Sequence, residues 1–459
     1  MEIDLKQYQG KHVHFIGIGG CSMSGLAQIL KNNGYIVTGS DTKESAYTQM
    51  LKKAGIPCTL GHFKENVYDA DAVVYSAAIK PVNPEYAYAV ANNIPLIERS
   101  RLLGELSSHY ARVACISGCH GKTTITSMLA LIMQEADLDC TVHVGGMVDF
   151  LGGGVKIGNS DIFITEACEY VKSFLTLTPK YILVNNIDDD HLDCYRDIDE
   201  IIATFAQFVA KLPEDGVFLL NESDTLARKL LDHKPCRTVT YGLPTSDWHL
   251  ENIRFDERGF GSADIIAKSG ESQHITLNIP GKYNLLNALG AAAYAHEVFN
   301  VPLKTCADAL SHYALAGRRF ELIGEKDGVK IYHDYAHHPS EIQACLEAAS
   351  RVAHKKLWVV FQCNSYTRAR TLKEKYGVSF SRADEVLVPD LYPGRDIDTG
   401  DIHATDLVDE INKHTGNAKY LATFAQINEY LRKNWQPGDI VLTVGSGDVN
   451  KQQMIFLQD

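Results

Sequence analysis

One stretch between residues 112 and 133 constrains the fold more than any other. An apolar run, a turn bracketed by glycines and a helix pattern follow one another there. Arg112–Ser117 has the composition of a buried strand. Apolar residues then recur on one face of a helix, at Ile125, Met128, Leu129, Ile132 and Met133. Because a strand that turns tightly into a helix is the repeating unit of parallel sheets, the sequence predicts an α/β fold.

The turn itself, residues 118–124, has the sequence GCHGKTT. Backbone N–H groups at such a turn and at the start of the following helix bind phosphate oxygens. Lys122 offers a positive charge to the outer phosphates, and the Thr123 hydroxyl can ligate magnesium. A full phosphate-loop pattern has glycine where this chain has Ile116, so the turn is a shortened variant. The alternative is a glycine turn whose lysine binds nothing.

A second strand, turn and helix open the chain. Residues 12–18 have the pattern of a strand, 19–25 of a turn, 26–32 of a helix and 35–40 of the next strand. Further apolar runs predict strands at 161–165, 181–184, 329–333, 357–362, 385–389 and 440–444. We expect three domains, at residues 1–109, 110–316 and 317–459.

Length and composition limit the possible classes of protein. At 459 residues the chain is longer than one hydrophobic core usually supports. Its formal net charge of -13, without a long Lys/Arg run, excludes a basic nucleic-acid surface. The N-terminus lacks a signal-peptide pattern, and no apolar stretch reaches the roughly 18 residues of a membrane span. The 11 cysteines are scattered, as in a reducing compartment. We expect a cytoplasmic protein with no nucleic-acid or membrane partner.

Two further residues are candidate magnesium ligands. Glu166 lies at the end of a predicted strand, and His191 lies within the sequence NNIDDDHLD. Carboxylate oxygens suit magnesium, and polar residues at strand ends are where α/β enzymes place ligands. Either residue could instead cap a helix or face solvent. The triple aspartate at 188–190 could be merely solvated, and the sequence leaves open which of its members faces a ligand.

The N-terminal turn, GIGGCSMSG, resembles a dinucleotide-binding fingerprint. Asp41 follows about twenty residues later, where an acid that binds ribose would lie. The sixth position of the pattern is Ser22 instead of glycine. We favour a nucleotide ligand over a turn that only allows close packing, because strand, turn, helix, strand and acid occur in order. An NAD-dependent dehydrogenase would explain this turn but not GCHGKTT.

In the C-terminal third, GRRFE (317–321) and DYAHHPSEI (334–342) bring arginines, an aspartate and two histidines close together in sequence. Arginine stabilises a phosphoryl group in transfer, and histidine can orient or deprotonate an amine. The alternative is a structural ion pair followed by a helix start, since Pro339 and Glu341 suit a first helical turn. The density of such residues favours a functional site.

These segments, with KYNLLNALGAA, YTR, LYPGRD and VGSGD, occur in one order along the chain. In that order the sequence resembles the Mur ligase family over essentially its whole length. The resemblance implies a Rossmann-like N-terminal domain for a UDP-sugar, a central P-loop ATPase-like domain with a parallel sheet, and a Rossmann-like C-terminal domain for the amino acid.

The resemblance also implies an activity. The enzyme would be an ATP-dependent ligase that joins L-alanine to UDP-N-acetylmuramate through an acyl phosphate, in peptidoglycan precursor synthesis. ATP and Mg²⁺ would be required, and the partners would be these small-molecule substrates. The protein would be a monomer or a homodimer.

Site residues are implied where this chain matches the family motifs. The ATP-binding residues are Gly118, Cys119, His120, Gly121, Lys122, Thr123, Thr124, Asn284 and Asn287. The magnesium ligands are Thr123, Glu166 and His191. The UDP-sugar-binding residues are Gly19, Gly20, Ser22, Ser40, Asp41 and Ser76. The amino-acid-binding residues are Tyr335, His337, Tyr366 and Arg368. The catalytic residues are Lys122, Arg319, Asp334 and His337.

The chain departs from the family pattern at three places near these residues. Residues 166–171 are Glu-Ala-Cys-Glu-Tyr-Val, where the family has Glu-Ala-Asp-Glu-Ser-Asp. Residues 361–368 lack a His and an Arg of the usual motif, and Cys119 replaces a threonine. The alternatives are therefore a related ligase with another amino acid or a peptide as substrate, and a paralogue that binds UDP-muramyl compounds without ligating them.

Overall fold

The computed structural model describes residues 4–191, 194–233, 236–314, 319–394 and 396–458. The start of the predicted third domain at Gly317 lies outside the described residues, as do Arg318 of GRRFE and Arg395 of LYPGRD. Leu192 and Asp193 of NNIDDDHLD lie outside them too. Mostly parallel sheets flanked by helices confirm the predicted α/β class.

The N-terminal part of the chain forms a parallel sheet with strand order β3-β2-β1-β4-β5. Its strands are β1 (His12–Ile16), β2 (Ile36–Asp41), β3 (Cys58–Leu60), β4 (Ala72–Tyr75) and β5 (Leu96–Glu98). The accompanying helices are α1 (Cys21–Asn32), α2 (Ala46–Lys53), α3 (Pro84–Ala91) and α4 (Arg99–Ser108). The strand order reverses at β1, so the turn after β1 lies at a switch point, where ligands bind in such sheets.

Helix α1 begins earlier than the sequence suggested. The prediction of a turn over 19–25 and a helix from residue 26 is wrong, because the helix already starts at Cys21. Gly25 is a helical residue whose added Cβ would lie 3.1 Å from Cδ2 of His143. Glycine at this position therefore permits close packing of α1 on the central domain.

The central sheet has strand order β12-β11-β10-β6-β9-β7-β8. Its strands are β6 (Arg112–Ser117), β7 (Thr141–Val148), β8 (Gly153–Lys156), β9 (Ile162–Ala167), β10 (Tyr181–Val184), β11 (Val217–Asn221) and β12 (Arg237–Tyr241). The pairing is parallel except between β7 and β8. Helix α5 (Lys122–Glu135) follows β6, and α6 (Ile198–Val209) precedes β11.

A small antiparallel sheet was not anticipated from the sequence. It consists of β13 (His249–Phe255), β14 (Phe260–Ile266) and β15 (Ser272–Pro280). Alternate residues of β15 are buried, among them Ile275, Leu277 and Ile279, and they join the core of the central domain. The sheet packs on the two helices that follow it, α7 (Lys282–Phe299) and α8 (Leu303–Ser311).

The C-terminal sheet has strand order β16-β17-β21-β18-β19-β20, antiparallel only between β16 and β17. Its strands are β16 (Glu321–Lys326), β17 (Val329–Asp334), β18 (Leu357–Phe361), β19 (Glu385–Val388), β20 (Ala418–Tyr420) and β21 (Ile440–Val444). The helices are α9 (Pro339–Arg351), α10 (Tyr366–Thr371), α11 (Lys373–Gly377), α12 (Ala404–His414), α13 (Phe424–Asn434) and α14 (Val449–Gln452). The predicted first helical turn at Pro339 is confirmed.

The predicted strands agree closely with those observed. The bounds match at Arg112–Ser117, Tyr181–Val184 and Ile440–Val444, and the others differ by one or two residues. All 11 cysteines are free thiols. Within the described ranges, no helix is both long and apolar enough to cross a membrane.

Candidate active site

The candidate phosphate-binding turn, residues 118–124, lies between β6 and α5, and this position agrees with the sequence prediction. Gly118 and Gly121 have φ angles of +134° and +83°, which favour glycine. A Cβ on Gly121 would lie 2.7 Å from Nδ2 of Asn185, so the turn also requires glycine for space. The backbone N–H of His120 donates to Oδ1 of Asn186 at 2.8 Å. These contacts hold the turn against the end of β10.

Lys122 lies at the start of α5 with its ammonium group folded back over the turn. Nζ donates to the Gly118 carbonyl at 2.5 Å and to Oε2 of Glu169 at 2.9 Å. Burial lowers the pKa of Lys122, but the Glu169 charge outweighs this effect and raises the pKa well above its usual range. The side chain of Glu169 is only 1% exposed. The lysine therefore stays charged in a buried pair.

Two of the candidate magnesium ligands meet beside this lysine. Oε1 of Glu166 accepts from the backbone N–H of Gly145 at 2.7 Å, and the Thr123 side chain hydrogen-bonds to the same carboxyl group. Nε2 of His191 lies 3.5 Å from Oε1 of Glu169. Glu169 thus contacts both His191 and Lys122. The sequence did not identify Glu169 as a site residue, although it lies within the 166–171 motif. Hydroxyl and carboxylate oxygens form a donor set that fits Mg²⁺.

A cavity of about 210 Å³ adjoins the turn on the side of α7. Asn284 and Asn287 line it, together with His120, Gly121 and Thr124 of the turn. Nδ2 of Asn185 donates to Oδ1 of Asn287 at 3.2 Å, which joins β10 to α7. The C-terminal domain closes the cavity with Arg319, Asp334, Ser340, Glu341, Ala344 and Cys345.

A second cavity, of about 260 Å³, lies between the N-terminal and central domains. Ser22, Lys122 and Glu166 line it, together with Arg99 and His143. Oγ of Ser22 is 3.1 Å from Nε2 of His143 and accepts from Nη1 of Arg99 at 3.3 Å. Burial, followed by the charge of Arg99, lowers the pKa of His143 to about 4, so the imidazole is neutral.

The predicted UDP-binding residues lie at the carboxyl ends of β1, β2 and β4. The backbone N–H of Gly19 donates to Oδ2 of Asp41 at 2.9 Å, and Gly20 caps α1. Ser76 follows the end of β4. The Ser40 side chain is buried and donates to Oε2 of Glu85 at 2.6 Å. Gly19 and Asp41 are therefore brought together, whereas the Ser40 hydroxyl is engaged inside the domain.

A third cavity, of about 420 Å³, lies between the central and C-terminal domains. Tyr335, His337 and Arg368 line it, and so does His191. Tyr366 is not among the described residues that line this cavity, and its side chain hydrogen-bonds to Asp398. Three of the four predicted amino-acid-binding residues thus share one cavity.

His337 is held as a neutral imidazole in this third cavity. Nδ1 lies 3.0 Å from the Tyr335 carbonyl oxygen, which can only accept, so Nδ1 carries the hydrogen and Nε2 the lone pair. Burial lowers the pKa of His337 to about 4, although Glu341, with Oε2 3.3 Å from Nδ1, acts in the opposite direction. Nε2 of His337 can therefore accept a hydrogen bond, whereas a pKa of about 4 makes the imidazole a weak base.

Arg319 and Asp334 lie where the chain enters the C-terminal sheet. The Arg319 guanidinium lies over the Tyr335 ring, 5.5 Å from its centroid, and 3.8 Å from Oε1 of Glu341. Both oxygens of Asp334 accept backbone N–H groups, from Phe320 at 2.8 Å and Ala336 at 2.7 Å. Asp334 therefore shapes the backbone around Arg319 and His337.

Each member of the triple aspartate contacts the C-terminal domain. Asp188 accepts from Oγ of Ser340 at 2.6 Å. Asp189 accepts from Nζ of Lys375 at 2.5 Å, and Asp190 accepts from Nη2 of Arg368 at 2.6 Å. The aspartates are therefore not a solvated run, because they tie the central domain to the C-terminal domain beside the phosphate-binding turn.

Three family models match the chain in order. They are the Mur ligase family catalytic domain over residues 12–111, the Mur ligase middle domain over 116–295, and the Mur ligase glutamate ligase domain over 318–447. A UDP-N-acetylmuramate–L-alanine ligase of Acetivibrio thermocellus is 43% identical, over 98% of this chain and 96% of the relative. The chain belongs to the Mur ligase family.

Two further relatives agree with this assignment. A UDP-N-acetylmuramate–L-alanine ligase of Clostridium acetobutylicum is 43% identical over 100% of both chains. The crystal structure of the UDP-N-acetylmuramate-alanine ligase of Thermotoga maritima has a TM-score of 0.81 and 25% identity, and covers 98% of each chain. The three-domain α/β architecture of a Mur ligase thus extends through the whole chain.

The departures from the family pattern have visible consequences in this Mur ligase. Sγ of Cys119 accepts from the backbone N–H of Asp188 at 3.1 Å, so it still joins the turn to the next loop. Oγ of Ser365 donates to Oδ2 of Asp396 at 2.6 Å and caps α10. Cys168 lines the cavity that contains Ser22 and Lys122, and burial raises the pKa of its thiol to about 11.

Several residues of the site were not assigned from the sequence. They are Arg99, His143, Glu169, Asn185, Asn186, Asp188, His338 and Glu341. Asn185 and Asn186 directly follow β10, and polar residues at a strand end were a signal that could have identified them. Arg99 and His143 carry no comparable motif, since their role depends on how two domains pack.

Proposed function

We propose that this chain is an ATP-dependent ligase that joins L-alanine to UDP-N-acetylmuramate in peptidoglycan precursor synthesis. The observation that carries the proposal is the arrangement of three cavities around the phosphate-binding turn and the Lys122–Glu169 pair. One cavity suits each reactant: ATP, the muramyl carboxylate and the amino acid. The names and full-length similarity of the relatives support the same substrates.

The UDP-sugar is proposed to bind along the carboxyl ends of the N-terminal sheet. Gly19, Gly20, Asp41 and Ser76 would surround the nucleotide, with Asp41 at the ribose, while the Ser40 hydroxyl would stay on Glu85 inside the domain. Ser22 lies at the boundary with the central domain, beside Arg99 and His143. The cavity that contains Ser22 extends to Lys122, so a carboxylate placed there reaches the phosphate-binding turn.

ATP is proposed to bind with its phosphates on residues 118–124. Asn284 and Asn287 would face the adenosine, because they line the cavity on that side of the turn. Thr123, Glu166 and His191 would hold magnesium, which neutralises charge on the phosphate oxygens when bound. The Lys122 ammonium group would give up one of its hydrogen bonds to Glu169 and contact the transferring phosphoryl group instead.

The first step is phosphoryl transfer to the sugar carboxylate. A carboxylate oxygen attacks the γ-phosphorus, the bond from that phosphorus to the β,γ-bridging oxygen breaks, and ADP leaves. Lys122 and Arg319 carry the positive charge that stabilises the transferring group. The product is an acyl phosphate held beside Lys122, in the cavity that contains Ser22.

The second step forms the amide bond. The L-alanine amine attacks the acyl carbon while it donates an N–H to Nε2 of His337, and the proton that the tetrahedral intermediate loses leaves with the phosphate group. The carbon–oxygen bond to phosphate then breaks and releases inorganic phosphate. Tyr335 and Arg368 would orient the amino acid, whereas Tyr366 would act only from the edge of this cavity, and Asp334 would position Arg319 and His337 through the backbone.

The proposal extends to organisation and location. We assign residues 1–109, 110–316 and 317–459 to the three domains, because each sheet falls within one of these ranges. The substrates and the free thiols are compatible with the cytoplasm. We propose a monomer or a homodimer, with no nucleic-acid or membrane partner.

ADP release tests the proposal directly. With the full chain, ADP should form only when ATP, UDP-N-acetylmuramate and L-alanine are all present, and mass spectrometry should detect UDP-N-acetylmuramoyl-L-alanine. If the rate of ADP formation did not depend on the sugar or on the amino acid, the proposed ligase activity would be refuted. Sugar binding without any turnover would instead favour a non-catalytic paralogue.

A further inference from the structure

His120, Asp188 and His338 form a cluster at the boundary between the central and C-terminal domains. Nε2 of His120 lies 3.0 Å from Oδ2 of Asp188, and Nδ1 of His338 lies 3.3 Å from the same oxygen. One potential ligand atom from each residue lies within 4.8 Å of the other two. His120 belongs to the phosphate-binding turn, whereas His338 caps α9 of the C-terminal domain.

A second shell of carboxylates surrounds the two imidazoles. The outer nitrogen of His120, Nδ1, lies 3.3 Å from Oε1 of Glu341. The outer nitrogen of His338, Nε2, lies 3.7 Å from Oδ1 of Asp189. Histidines that bind metals usually present their second ring N–H to a carboxylate or carbonyl, which fixes the tautomer and the ring orientation. Both histidines have a carboxylate near the outer nitrogen, although neither of these two nitrogens makes a hydrogen bond within the described residues.

His338 accepts a hydrogen bond at Nδ1, the nitrogen that faces Asp188. The backbone N–H of Ser340 donates to Nδ1 at 3.4 Å, so Nδ1 carries no proton in this buried imidazole. Nδ1 of His338, 3.3 Å from Oδ2 of Asp188, therefore has no proton to donate to this oxygen. Oδ2 of Asp188 is stabilised by Oγ of Ser340 and by His120. A metal ion bound there would displace the proton that lies between His120 and Asp188.

We propose that His120, Asp188 and His338 form a binding site for a divalent transition-metal ion of the zinc class. Two imidazole nitrogens and one carboxylate oxygen suit Zn²⁺, Co²⁺ or Ni²⁺, whereas Mg²⁺ prefers oxygen ligands. A tetrahedral zinc ion with bonds of about 2.0–2.1 Å needs ligand atoms roughly 3.3 Å apart. Two of the three separations already have this value within 0.3 Å.

The proposed site is separate from the candidate magnesium ligands Thr123, Glu166 and His191. An ion bound to it joins the phosphate-binding turn to the start of α9. It therefore holds the central and C-terminal domains together, in addition to the ion pairs made by Asp189 and Asp190. Binding of Zn²⁺ to the full chain does not depend on turnover, so this proposal can fail without affecting the proposed ligase activity.

The test is Zn²⁺ binding by the chelator-treated full chain, measured by equilibrium dialysis in excess Mg²⁺. We expect one Zn²⁺ per chain, and Co²⁺ in its place should give the visible absorption of a four-coordinate site. His338→Asn keeps a good helix cap but removes the imidazole, and it should weaken binding by at least about tenfold. Asp189→Asn retains all three ligands and should still weaken Zn²⁺ binding, because it removes the negative charge beside His338. This variant tests the proposal even if His338→Asn does not fold.

Two matched controls localise the ion. His274→Asn removes an exposed histidine that pairs with Asp264 but has no third ligand among the described residues, and this variant should bind Zn²⁺ like the unaltered chain. His191→Asn alters a candidate magnesium ligand and should also retain the ion. The proposal is overturned if Zn²⁺ is displaced by Mg²⁺, if His338→Asn and Asp189→Asn bind as the unaltered chain does, or if His191→Asn alone loses the ion.

Discussion

The two interfaces of the central domain differ in their chemistry. Towards the N-terminal domain, buried apolar residues of both domains form one continuous core, and α1 packs closely on β7 and β8. Towards the C-terminal domain, the contacts beside the active site are ionic: Asp189 pairs with Lys375 and Asp190 with Arg368. Apolar burial depends little on salt, whereas ion pairs respond to salt and to the loss of either partner.

This difference matches the division of labour in the proposed reaction. In that reaction the UDP-sugar and ATP would meet across the apolar interface, which holds Ser22 and Lys122 in a fixed relation. The amine would arrive across the ionic interface, which contains His337 and Arg368. We infer that the first interface is permanent and that the second can open for exchange of the amino acid and products.

The largest effect is expected for a residue at the meeting point of the two interfaces. Lys122→Ala should lower kcat by roughly a thousandfold or more, because the charge that stabilises phosphoryl transfer is lost. ADP release measures this loss. Lys172→Ala, which removes an exposed lysine paired with Glu200, is the matched control and should retain activity. Calorimetry should show UDP-N-acetylmuramate still binding to Lys122→Ala, and normal turnover would contradict the role of Lys122.

Removing a buried charge from the ionic interface should have the next largest effect. In Arg368→Ala, Asp190 loses its arginine partner. Because the Arg368 and Asp190 side chains are only 15% and 6% exposed, water cannot fully replace the lost ion pair. We expect about 2 kcal/mol or more in transition-state free energy, roughly thirtyfold in kcat/KM for L-alanine. The KM for UDP-N-acetylmuramate should not change. Arg370→Ala, on the same helix but paired with Asp401 at the surface, should behave like the unaltered chain. Equal effects of the two variants would contradict this account.

Overpacking the apolar interface should reduce stability. In Gly25→Val, the new side chain must fit where a Cβ alone is 3.1 Å from His143 and 3.4 Å from Val155. We expect a loss of about 1–3 kcal/mol in the free energy of unfolding, which denaturant titration measures. The loss should be the same at low and high salt. Gly25→Ala should cost less, and a salt-dependent loss would argue against an apolar interface.

Acid should weaken the same interface through His143. Its pKa in the folded chain is about 4, below the usual 6.5, so the unfolded chain binds a proton more readily between these values. Stability should therefore fall as pH decreases from 6.5 towards 4, by on the order of 1 kcal/mol per pH unit. Denaturant titrations of the unaltered chain and of His143→Phe should differ in slope across this window. Identical slopes would show that His143 does not titrate as stated.

The smallest effect is expected for the half-exposed pair of the ionic interface. Lys375 is 51% exposed, and its ion pair with Asp189 is accessible to salt. Lys375→Ala should change the free energy of domain closure by about 0.2–1 kcal/mol, less at high salt. The KM for L-alanine at two salt concentrations measures this change. A large effect that is independent of salt would indicate that Lys375 contacts the substrate.

The sequence allowed many elements to be predicted because of their local chemistry. Buried parallel strands are continuous apolar runs, so Arg112–Ser117 and Ile440–Val444 could be located with their bounds. The start of α1 could not, because Gly25 resembles a turn residue until its contact with His143 is known. The antiparallel strands β13, β14 and β15 alternate in burial, a weaker signal that was not recognised.

The candidate site was predictable only where its residues lie in a local sequence pattern. Lys122 and Thr123 lie in a local pattern that binds phosphate, and both lie where the pattern required. Asp190 and Arg368 are 178 residues apart in the chain, and no local pattern links them. Contacts between domains, including those of Arg99, His143 and the triple aspartate, depend on the packing of whole domains.

A comparison of substrates tests the central claim most directly, since the altered residues Cys168 and Ser365 line two of the proposed substrate cavities. The measurement is kcat/KM for ADP release by the full chain in the presence of UDP-N-acetylmuramate and ATP. It is repeated with each of several amino acids and with a short peptide, and the values are compared. The account predicts the highest value for L-alanine and no ADP release when the sugar is omitted. A higher value for another amino acid or for the peptide would contradict L-alanine as the substrate.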